Sequence, residues 1–285
     1  MKQLIKPKSI LVAAILFLVS IGAQAAVKVN SWSPLYNGVD QTTASIDGKH
    51  ASVAYAVRID LQASGVSFLV SPHSGAKESI SDTPQQFAVK NHLQLAINAS
   101  FFDPCCSVDP VDEDIIGLAI SEGKVVSPLS INGQYSEALM ISKDNQAAIG
   151  LVTAQTDLSN IYTAVSGSAI IVKNGVNSGD ENDLNKAAYG NPRTVVGLSR
   201  DGRYLYLVVV DGRKPGYSFG TTNTESAAIL LALGAYNALN LDGGGSTTMV
   251  RQNDKGQILT VNKPSGGAER LVACSLGVRA LSLSH

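Results

Sequence analysis

"NALNLDGGGSTTMV", residues 237–250, places an aspartate and three consecutive glycines directly after an apolar segment. Along a strand, Asn240 and Asp242 alternate with leucines, so the two polar side chains share one face. A tight turn in which Asp242 bonds its own backbone is the simpler interpretation, but such a turn needs only one glycine. The stretch therefore predicts a central strand that ends in a glycine loop, with backbone N–H groups and the Ser246 hydroxyl facing a ligand.

The segments that surround this stretch predict mostly strands. Residues 193–213 form a typical hairpin pattern, with two β-branched and aromatic runs around an Asp-Gly turn. Residues 51–61 and 66–72 predict a second hairpin, whereas apolar side chains at helical spacing predict helices at 83–92 and 222–236. We therefore predict an α+β fold, with a strand-rich mixed sheet core and few helices in a single domain.

The composition excludes several classes of protein. Hydrophobic residues make up 45% of the 285, which supplies a packed core and argues against disorder. The formal net charge is −1 and no basic block is visible, so we expect no nucleic-acid partner and no binding to anionic membrane surfaces.

The first 25 residues have the pattern of a cleaved signal peptide. Three lysines precede an apolar run at 10–22, and small residues at 23–25 suit a signal peptidase. A membrane anchor is the alternative, but the apolar run is shorter than the roughly 18 residues that a span needs. We predict a signal peptide at 1–25, a folded domain at 26–285, periplasmic or secreted localisation, and no membrane span after cleavage.

The chain contains three cysteines, at positions 105, 106 and 274. In an exported protein they favour one disulfide between Cys105 or Cys106 and Cys274, with buried free thiols as the alternative. No histidine lies close to them in sequence, so a zinc site has little support, and we expect no metal centre.

A second polar group follows the strand of "VVVDGRKPGYSFG", residues 208–220. Asp211 and Arg213 lie at the end of this strand, where loops often carry binding residues. Arg213 offers a planar fork for phosphate or carboxylate, although a hairpin turn with a solvated arginine would also fit. Ser218 follows in the segment that leads to the helix at 222–236.

Further candidate residues each have a structural alternative. Glu225 in "TNTE" matches a capping box, which competes evenly with a catalytic role. Arg193 begins an apolar strand and needs an anionic partner, from the protein or a ligand. Asn98 interrupts an apolar strand and needs hydrogen-bond partners if it is buried. Arg270 could equally be a surface charge.

Two common catalytic arrangements are absent. The four histidines lie in contexts that do not favour a general base, so a Ser-His-Asp triad is not supported. The sequence "GGGST" lacks the Gly-Lys pair of a phosphate-binding P-loop. The remaining carboxylates, arginines, asparagines and glycine loop suit chemistry at an acetal or phosphate centre.

These stretches together resemble the phosphodiester glycosidase family. The likeness covers about residues 90 to 280 and is carried by "NLDGGGSTTMV", by "VVVDGR" with "GYSFGTTNTESAAILLALGA", and by "NPRTVVGLSRDGR". "LAINASFFD" is similar to the family's Asn-Gly-Gly-Phe-Phe motif, and "VNKPSGGAERLVACSLGV" to its closing segment. One departure is visible, because Asn98 is followed here by Ala99 and Ser100 in place of two glycines.

The resemblance implies hydrolysis of a sugar-1-phosphodiester, which releases a sugar and a phosphomonoester. The implied catalytic residue is Asp242, with Glu225 or Asp211 as a second carboxylate. Arginines would hold the phosphodiester and stabilise the departing phosphate, and asparagines would bind sugar hydroxyls or position the carboxylates. The implied substrate-binding residues are Arg193, Arg213, Asn98, Asn240, Ser218, Gly243, Gly244 and Ser246.

The family resemblance also gives the expected substrate and cofactor. A phosphorylated glycan, from envelope or extracellular polysaccharide, is the expected partner, and we expect no cofactor. One alternative is a non-catalytic glycan-binding or envelope-assembly module that kept the pocket. The other is a metal-dependent phosphoesterase in which Asp242, Asp211 and Glu225 bind a divalent cation.

We predict that the substitution Asp242→Asn leaves folding intact and abolishes activity, because it removes the ionisable oxygen but keeps the size of the side chain. Circular dichroism with a thermal melt tests folding, and turnover of a sugar-1-phosphodiester tests activity. An active variant, or one that unfolds, would assign Asp242 a structural role.

Overall fold

The computed structural model of the protein describes residues 26–48, 50–130, 133, 135–179 and 190–283. The predicted signal peptide lies outside these residues. The polar segments at 103–114 and 176–192, punctuated by glycine or proline, predict long surface loops. Most of the second segment lies outside the described residues, and the first leads into a short strand.

The main sheet contains the glycine-loop strand near one edge. In spatial order its strands are β1 (Val27–Val29), β3 (Val39–Ile46), β4 (Ser52–Asp60), β18 (Tyr204–Val210), β17 (Arg193–Leu198), β19 (Asn237–Asn240), β15 (Ala169–Lys173) and β16 (Val176–Asn177), with β2 (Ser33–Tyr36) paired to β3. The predicted hairpin at 193–213 is confirmed, because β17 and β18 pair from Arg193 opposite Val210 to Leu198 opposite Leu205.

Smaller sheets pack around the main one. The second sheet has the order β11 (Lys124–Ser127), β10 (Ala119–Ser121), β14 (Ile161–Gly167), β12 (Glu137–Ser142) and β13 (Ala147–Leu151). The third has the order β21 (Ile258–Thr260), β20 (Met249–Gln252), β7 (Leu95–Asn98), β22 (Ser275–Arg279) and β5 (Ser67–Val70). A short sheet joins β6 (Ser79–Ile80), β9 (Asp112–Ile115) and β8 (Phe102–Asp103).

Both predicted helices are confirmed, and both begin with a capping box. Helix α1 (Pro84–Lys90) has Thr83 as its N-cap, and helix α2 (Asn223–Leu233) has Thr222. The prediction of a strand-rich fold with few helices is therefore confirmed. None of the helices in the described part of the chain is long and apolar enough to cross a membrane.

The prediction of a mixed sheet is wrong, because the strand pairs within the described residues are antiparallel. Helix α2 connects β18 to β19, and such a crossover would normally join parallel neighbours. Here β17 lies between them and pairs with both in the antiparallel sense. The crossover thus spans one strand and creates no parallel ladder.

The predicted hairpin of 51–61 with 66–72 is also wrong. Strand β4 pairs with β3 and β18 in the main sheet, whereas β5 pairs with β22 in the third sheet. Both strands carry apolar side chains on two faces. The alternation of polar and apolar residues along each strand therefore did not determine which neighbouring strand it pairs with.

The two faces of the main sheet are covered differently. Side chains such as Val196, Leu198 and Leu239 pack against the other sheets in the largest apolar cluster. Residues on the opposite face, including Val195 and Ala238, pack with helix α2. The alternation along β17 and β19 therefore buries both faces and holds β19 rigidly between its neighbours.

Gly197 sets the distance between β17 and the region around helix α2. An added Cβ there would lie 2.7 Å from Leu230 Cδ1 and 2.8 Å from Ala235 Cβ. We expect Gly197→Val to lower the free energy of unfolding by about 1–3 kcal/mol through overpacking. Chemical denaturation measures the change.

Gly150 on β13 provides the matched control, since an added Cβ there meets nothing within 4 Å. Gly150→Val should change stability by less than about 0.5 kcal/mol. Equal losses in the two variants would show that close packing at Gly197 is not the cause.

Candidate active site

The glycine loop follows β19 directly and is packed between two other segments. The backbone N–H of Asp242 donates to the Ala99 carbonyl at 2.9 Å, and that of Gly244 donates to the Pro192 carbonyl at 2.8 Å. A Cβ on Gly243 would lie only 2.8 Å from the same Pro192 oxygen. A side chain at Gly243 therefore has no room, and Gly244 has φ +62°, which favours glycine.

Asn98 lies beneath the loop and is fully buried. Its Nδ2 donates to the Asp242 carbonyl at 2.7 Å, while its Oδ1 accepts from Thr194 Oγ1 at 2.6 Å and from the Thr248 N–H at 3.1 Å. The structure thus places Asn98 as a support for the Asp242 backbone. Its amide group faces the protein and not a ligand.

Asp242 is a half-buried carboxylate with a raised pKa. Burial removes water from the charged form and raises the pKa to about 6. The neighbouring Ser246 hydroxyl, the positive charge of Arg270 and the Gly243 N–H act in the opposite direction. The carboxylate therefore changes its protonation state within a pH range where an enzyme can use it as a base.

Two arginines lie against the glycines. An added Cβ on Gly244 would be 3.3 Å from Arg213 Nη2, and one on Gly245 would collide with the Arg270 guanidinium. Arg213 is oriented by Asn191, whose Oδ1 accepts from Nη2 at 3.0 Å and from Nε at 3.3 Å. The absence of side chains on the loop thus lets both guanidinium groups approach its backbone.

Arg270 lies at the loop, although the sequence left it open as a surface charge and outside the implied substrate-binding residues. Its Nη1 donates to Ser246 Oγ at 3.4 Å and approaches Cys105 Sγ at 3.8 Å. The one sequence feature that points to Arg270 is its place in "VNKPSGGAERLVACSLGV", the stretch that resembles the closing segment of the family. No local pattern separates it from an exposed arginine, because it reaches the loop only through tertiary packing.

Arg193 is the first residue of β17. It follows Pro192, whose carbonyl accepts a hydrogen bond from the Gly244 N–H of the glycine loop. The Arg193 Nε donates to the Thr221 carbonyl at 3.0 Å, next to the N-cap of helix α2. A Cβ added to Gly243 would lie 3.6 Å from the Arg193 Cα. The structure therefore brings the backbone of Arg193 to the loop and directs part of its guanidinium to the helix terminus.

Asp211 and Ser218 are buried and bonded within the protein. The Asp211 carboxylate accepts from Asn262 Nδ2 at 3.0 Å, from the Lys263 N–H at 2.9 Å and from Tyr217 Oη at 3.0 Å. The Ser218 hydroxyl donates to the Asp211 carbonyl at 2.6 Å. Hydrogen bonds from these side chains join the segment at 211–218 to the segment at 262–263. They use both oxygens of the Asp211 carboxylate.

Glu225 forms the capping box that its sequence pattern indicates. One oxygen, Oε2, accepts from the Thr222 N–H at 2.8 Å and from Thr222 Oγ1 at 3.0 Å. Asn240 is likewise bonded inside the protein, since its Nδ2 donates to Ser168 Oγ at 2.9 Å and to the Leu241 carbonyl at 3.1 Å. Of the three predicted carboxylates, Asp242 alone lies directly at the glycine loop.

An open cavity of about 580 Å³ adjoins the arginines and Gly245. Its other lining residues are Cys106, Ser107, Val108, Ser265, Gly266, Ala268 and Leu271. Glu269 also lines this cavity, but its carboxylate is bonded to Thr260 Oγ1 and to the Gln85 N–H. Two arginines and one glutamate give the lining an excess of positive charge.

The cysteine pairing differs from the one expected. Cys105 is joined to its neighbour Cys106, and Cys274 is a fully buried free thiol whose pKa burial raises to about 11. Cys274 lies in the core beside Ser100, whereas the other two cysteines lie in the exposed loop at 103–114. The long-range bridge to Cys274 is therefore wrong. Among the described residues, no group of three His, Cys, Asp or Glu side chains is placed to hold a metal ion.

The model of the phosphodiester glycosidase family matches residues 91–279, which include the loop, the arginines and Asn98. The chain belongs to the phosphodiester glycosidase family. No curated protein matches the sequence at a significant level.

Solved structures show the same fold at low sequence identity. The catalytic domain of zebrafish N-acetylglucosamine-1-phosphodiester alpha-N-acetylglucosaminidase, auto-inhibited by its pro-peptide, has a TM-score of 0.65 at 20% identity and covers 93% of this chain and 91% of its own. A Burkholderia pseudomallei protein has a TM-score of 0.66 at 14% identity, covering 90% and 97%. A Synechocystis protein has a TM-score of 0.56 at 16% identity, covering 85% and 62%.

The ionisation of Asp242 predicts a pH dependence that Arg270 controls. If ionised Asp242 acts in the reaction, kcat/KM rises as the pH increases through about 6. Arg270→Gln removes a charge that lowers the pKa of Asp242, so the acidic limb should move to higher pH. We also expect kcat/KM at the optimum to fall by roughly 100-fold.

Arg213→Gln is the matched control, because Arg213 is not among the groups that shift the pKa of Asp242. It should reduce kcat/KM without moving the acidic limb. The same shift in both variants, or none in Arg270→Gln, would contradict an electrostatic link between Arg270 and Asp242. The pH–rate profiles of the three proteins provide the measurement.

Proposed function

We propose that the protein hydrolyses the bond between the anomeric carbon of a sugar and a phosphodiester oxygen, releasing the sugar and a phosphomonoester. The observation that carries the proposal is the arrangement at the glycine loop, where one carboxylate with a raised pKa lies beside two arginines. Family membership supports the same reaction class.

The phosphate would bind between Arg213 and Arg270, which lie against Gly244 and Gly245. Two guanidinium groups suit a phosphodiester because each presents several N–H donors in a planar fork. Negative charge grows on the phosphate as the glycosidic bond breaks. The arginines therefore stabilise the transition state more than the bound substrate.

Asp242 would supply the group that acts at the anomeric carbon. As the bond between that carbon and the phosphate oxygen breaks, its electron pair leaves with the phosphomonoester. Either Asp242 accepts the proton of an attacking water, or it bonds the carbon before water replaces it. Both routes need the ionised carboxylate, and both give the sugar a hydroxyl that originates from water.

A second carboxylate is less necessary here than in hydrolysis of an ordinary glycoside. An alcohol must be protonated to leave, whereas a phosphate held by arginines leaves as a stabilised anion. This difference fits the positions of Asp211 and Glu225, which accept hydrogen bonds from buried or helix-capping donors. We propose that these two carboxylates support the site without taking part in the proton transfer.

We further propose that the protein acts outside the cytoplasm on phosphodiester-linked glycans of the envelope or of extracellular polysaccharide. The signal-peptide pattern at 1–25 supports export. The open cavity next to the arginines supports a substrate larger than a simple sugar phosphate.

Hydrolysis in ¹⁸O-labelled water tests the position of bond cleavage. We expect the purified protein to convert the methyl phosphodiester of a hexose 1-phosphate to hexose that carries the label, with none in methyl phosphate. Mass spectrometry of both products measures this, and Asp242→Asn should release neither product. Chelator should leave the rate unchanged.

Other outcomes would favour the alternative functions. Label in the phosphate would indicate a phosphoesterase, and loss of turnover in chelator would indicate that a metal ion takes part. Binding of phosphodiester glycans without any turnover would indicate a glycan-binding module.

A further inference from the structure

Residues 106–108 line the cavity that Arg213 and Arg270 also line, and Cys105 adjoins them. Cys105 and Cys106, whose sulfurs are joined, are exposed, and so is Val108, whose exposed fraction is 92%. Ala268, also exposed, and the half-buried Leu271 line the same cavity. The cavity lining thus combines these apolar groups with Ser107, Ser265, Glu269 and two guanidinium groups.

The segment at 105–108 is connected to the reaction centre through Arg270. Its Nη1 is 3.4 Å from Ser246 Oγ, a neighbour of Asp242, and 3.8 Å from Cys105 Sγ, which is joined to the cavity-lining Cys106. A phosphate held by Arg270 would therefore have the sugar carbon towards Asp242. Its second ester group would lie towards Cys105 and the cavity.

The charges near this segment limit what that second group can be. Asp103 and Asp109 are exposed on the same loop and would repel additional negative charge. A group that binds next to the cystine and Val108 gains most of its binding free energy by removing apolar surface from water. The segment therefore suits an uncharged group with an apolar face.

We propose that the surface formed by Cys105, Cys106 and Val108, here called the cystine wall, binds the aglycone that remains on the phosphate and selects for uncharged aglycones with an apolar face. The proposal deepens and rests on the proposed function, because the phosphate must bind between Arg213 and Arg270. An alkyl chain and the C–H face of a sugar ring both have this chemistry. The experiment below distinguishes them.

The test uses phosphomonoesters, which are products in the proposed reaction, so it requires no turnover. Isothermal titration calorimetry compares methyl phosphate, hexyl phosphate and a hexose 6-phosphate on the full-length protein. We expect the wild type to bind at least one of the two larger esters roughly tenfold more tightly than methyl phosphate. Preference for hexyl phosphate indicates an alkyl aglycone, and preference for the hexose ester indicates a sugar.

Val108→Ser should reduce this preference to about twofold and leave the affinity for methyl phosphate unchanged. Val125→Ser is the matched control, because Val125 is an exposed valine on β11 that does not line the cavity. The paired change Cys105→Ser with Cys106→Ser should also reduce the preference. Thermal melts of all variants verify folding.

The results separate the two proposals. Binding of methyl phosphate without preference for a larger ester, or an unchanged preference in Val108→Ser, would overturn the cystine wall alone. Failure of every phosphate to bind would remove the phosphate site between the arginines and contradict the proposed function as well.

Discussion

The side chain of Asn98 holds together the elements from which the site is built. It lies at the end of β7 in the third sheet, accepts from Thr194 on β17 of the main sheet, and donates to the Asp242 carbonyl. An unpaired amide buried at this depth would destabilise the fold by about 1–3 kcal/mol, so its three bonds strongly favour one arrangement of the two sheets. The position of the Asp242 backbone follows from that arrangement.

The glycine loop brings two arginines close to this fixed backbone position. Gly243 is pressed against Pro192, and the next two glycines leave space that Arg213 and Arg270 occupy. Burial raises the pKa of Asp242 while the charge of Arg270 lowers it, which leaves the value near 6. A carboxylate with fewer positive neighbours would stay protonated at neutral pH, whereas a fully solvated one would be a weaker base.

The other two candidate carboxylates are hydrogen-bonded within the protein. Asp211 joins the segment at 211–218 to Lys263, and Glu225 completes the cap of helix α2. Both are carboxylates whose sequence context resembles that of catalytic residues, because a strand end and a helix start are where such residues often occur. Their hydrogen-bond partners show that the same positions also stabilise loops. The carboxylate proposed to act in the reaction differs in its partners, since Asp242 lies beside a hydroxyl, a guanidinium and a glycine N–H.

The sequence by itself determined the local structure and the family. Caps, an Asp-Gly turn and periodic apolar residues act within a few residues, so helix α2, helix α1 and the hairpin of β17 with β18 were predictable. The glycine run also predicted that something approaches the backbone at 243–245. Only the tertiary structure decided that Arg270 is one of the groups that do so, and that Asn98 faces inward. The physical reason is that these contacts join residues far apart in the chain, and local patterns of polarity do not encode which distant partner a side chain meets.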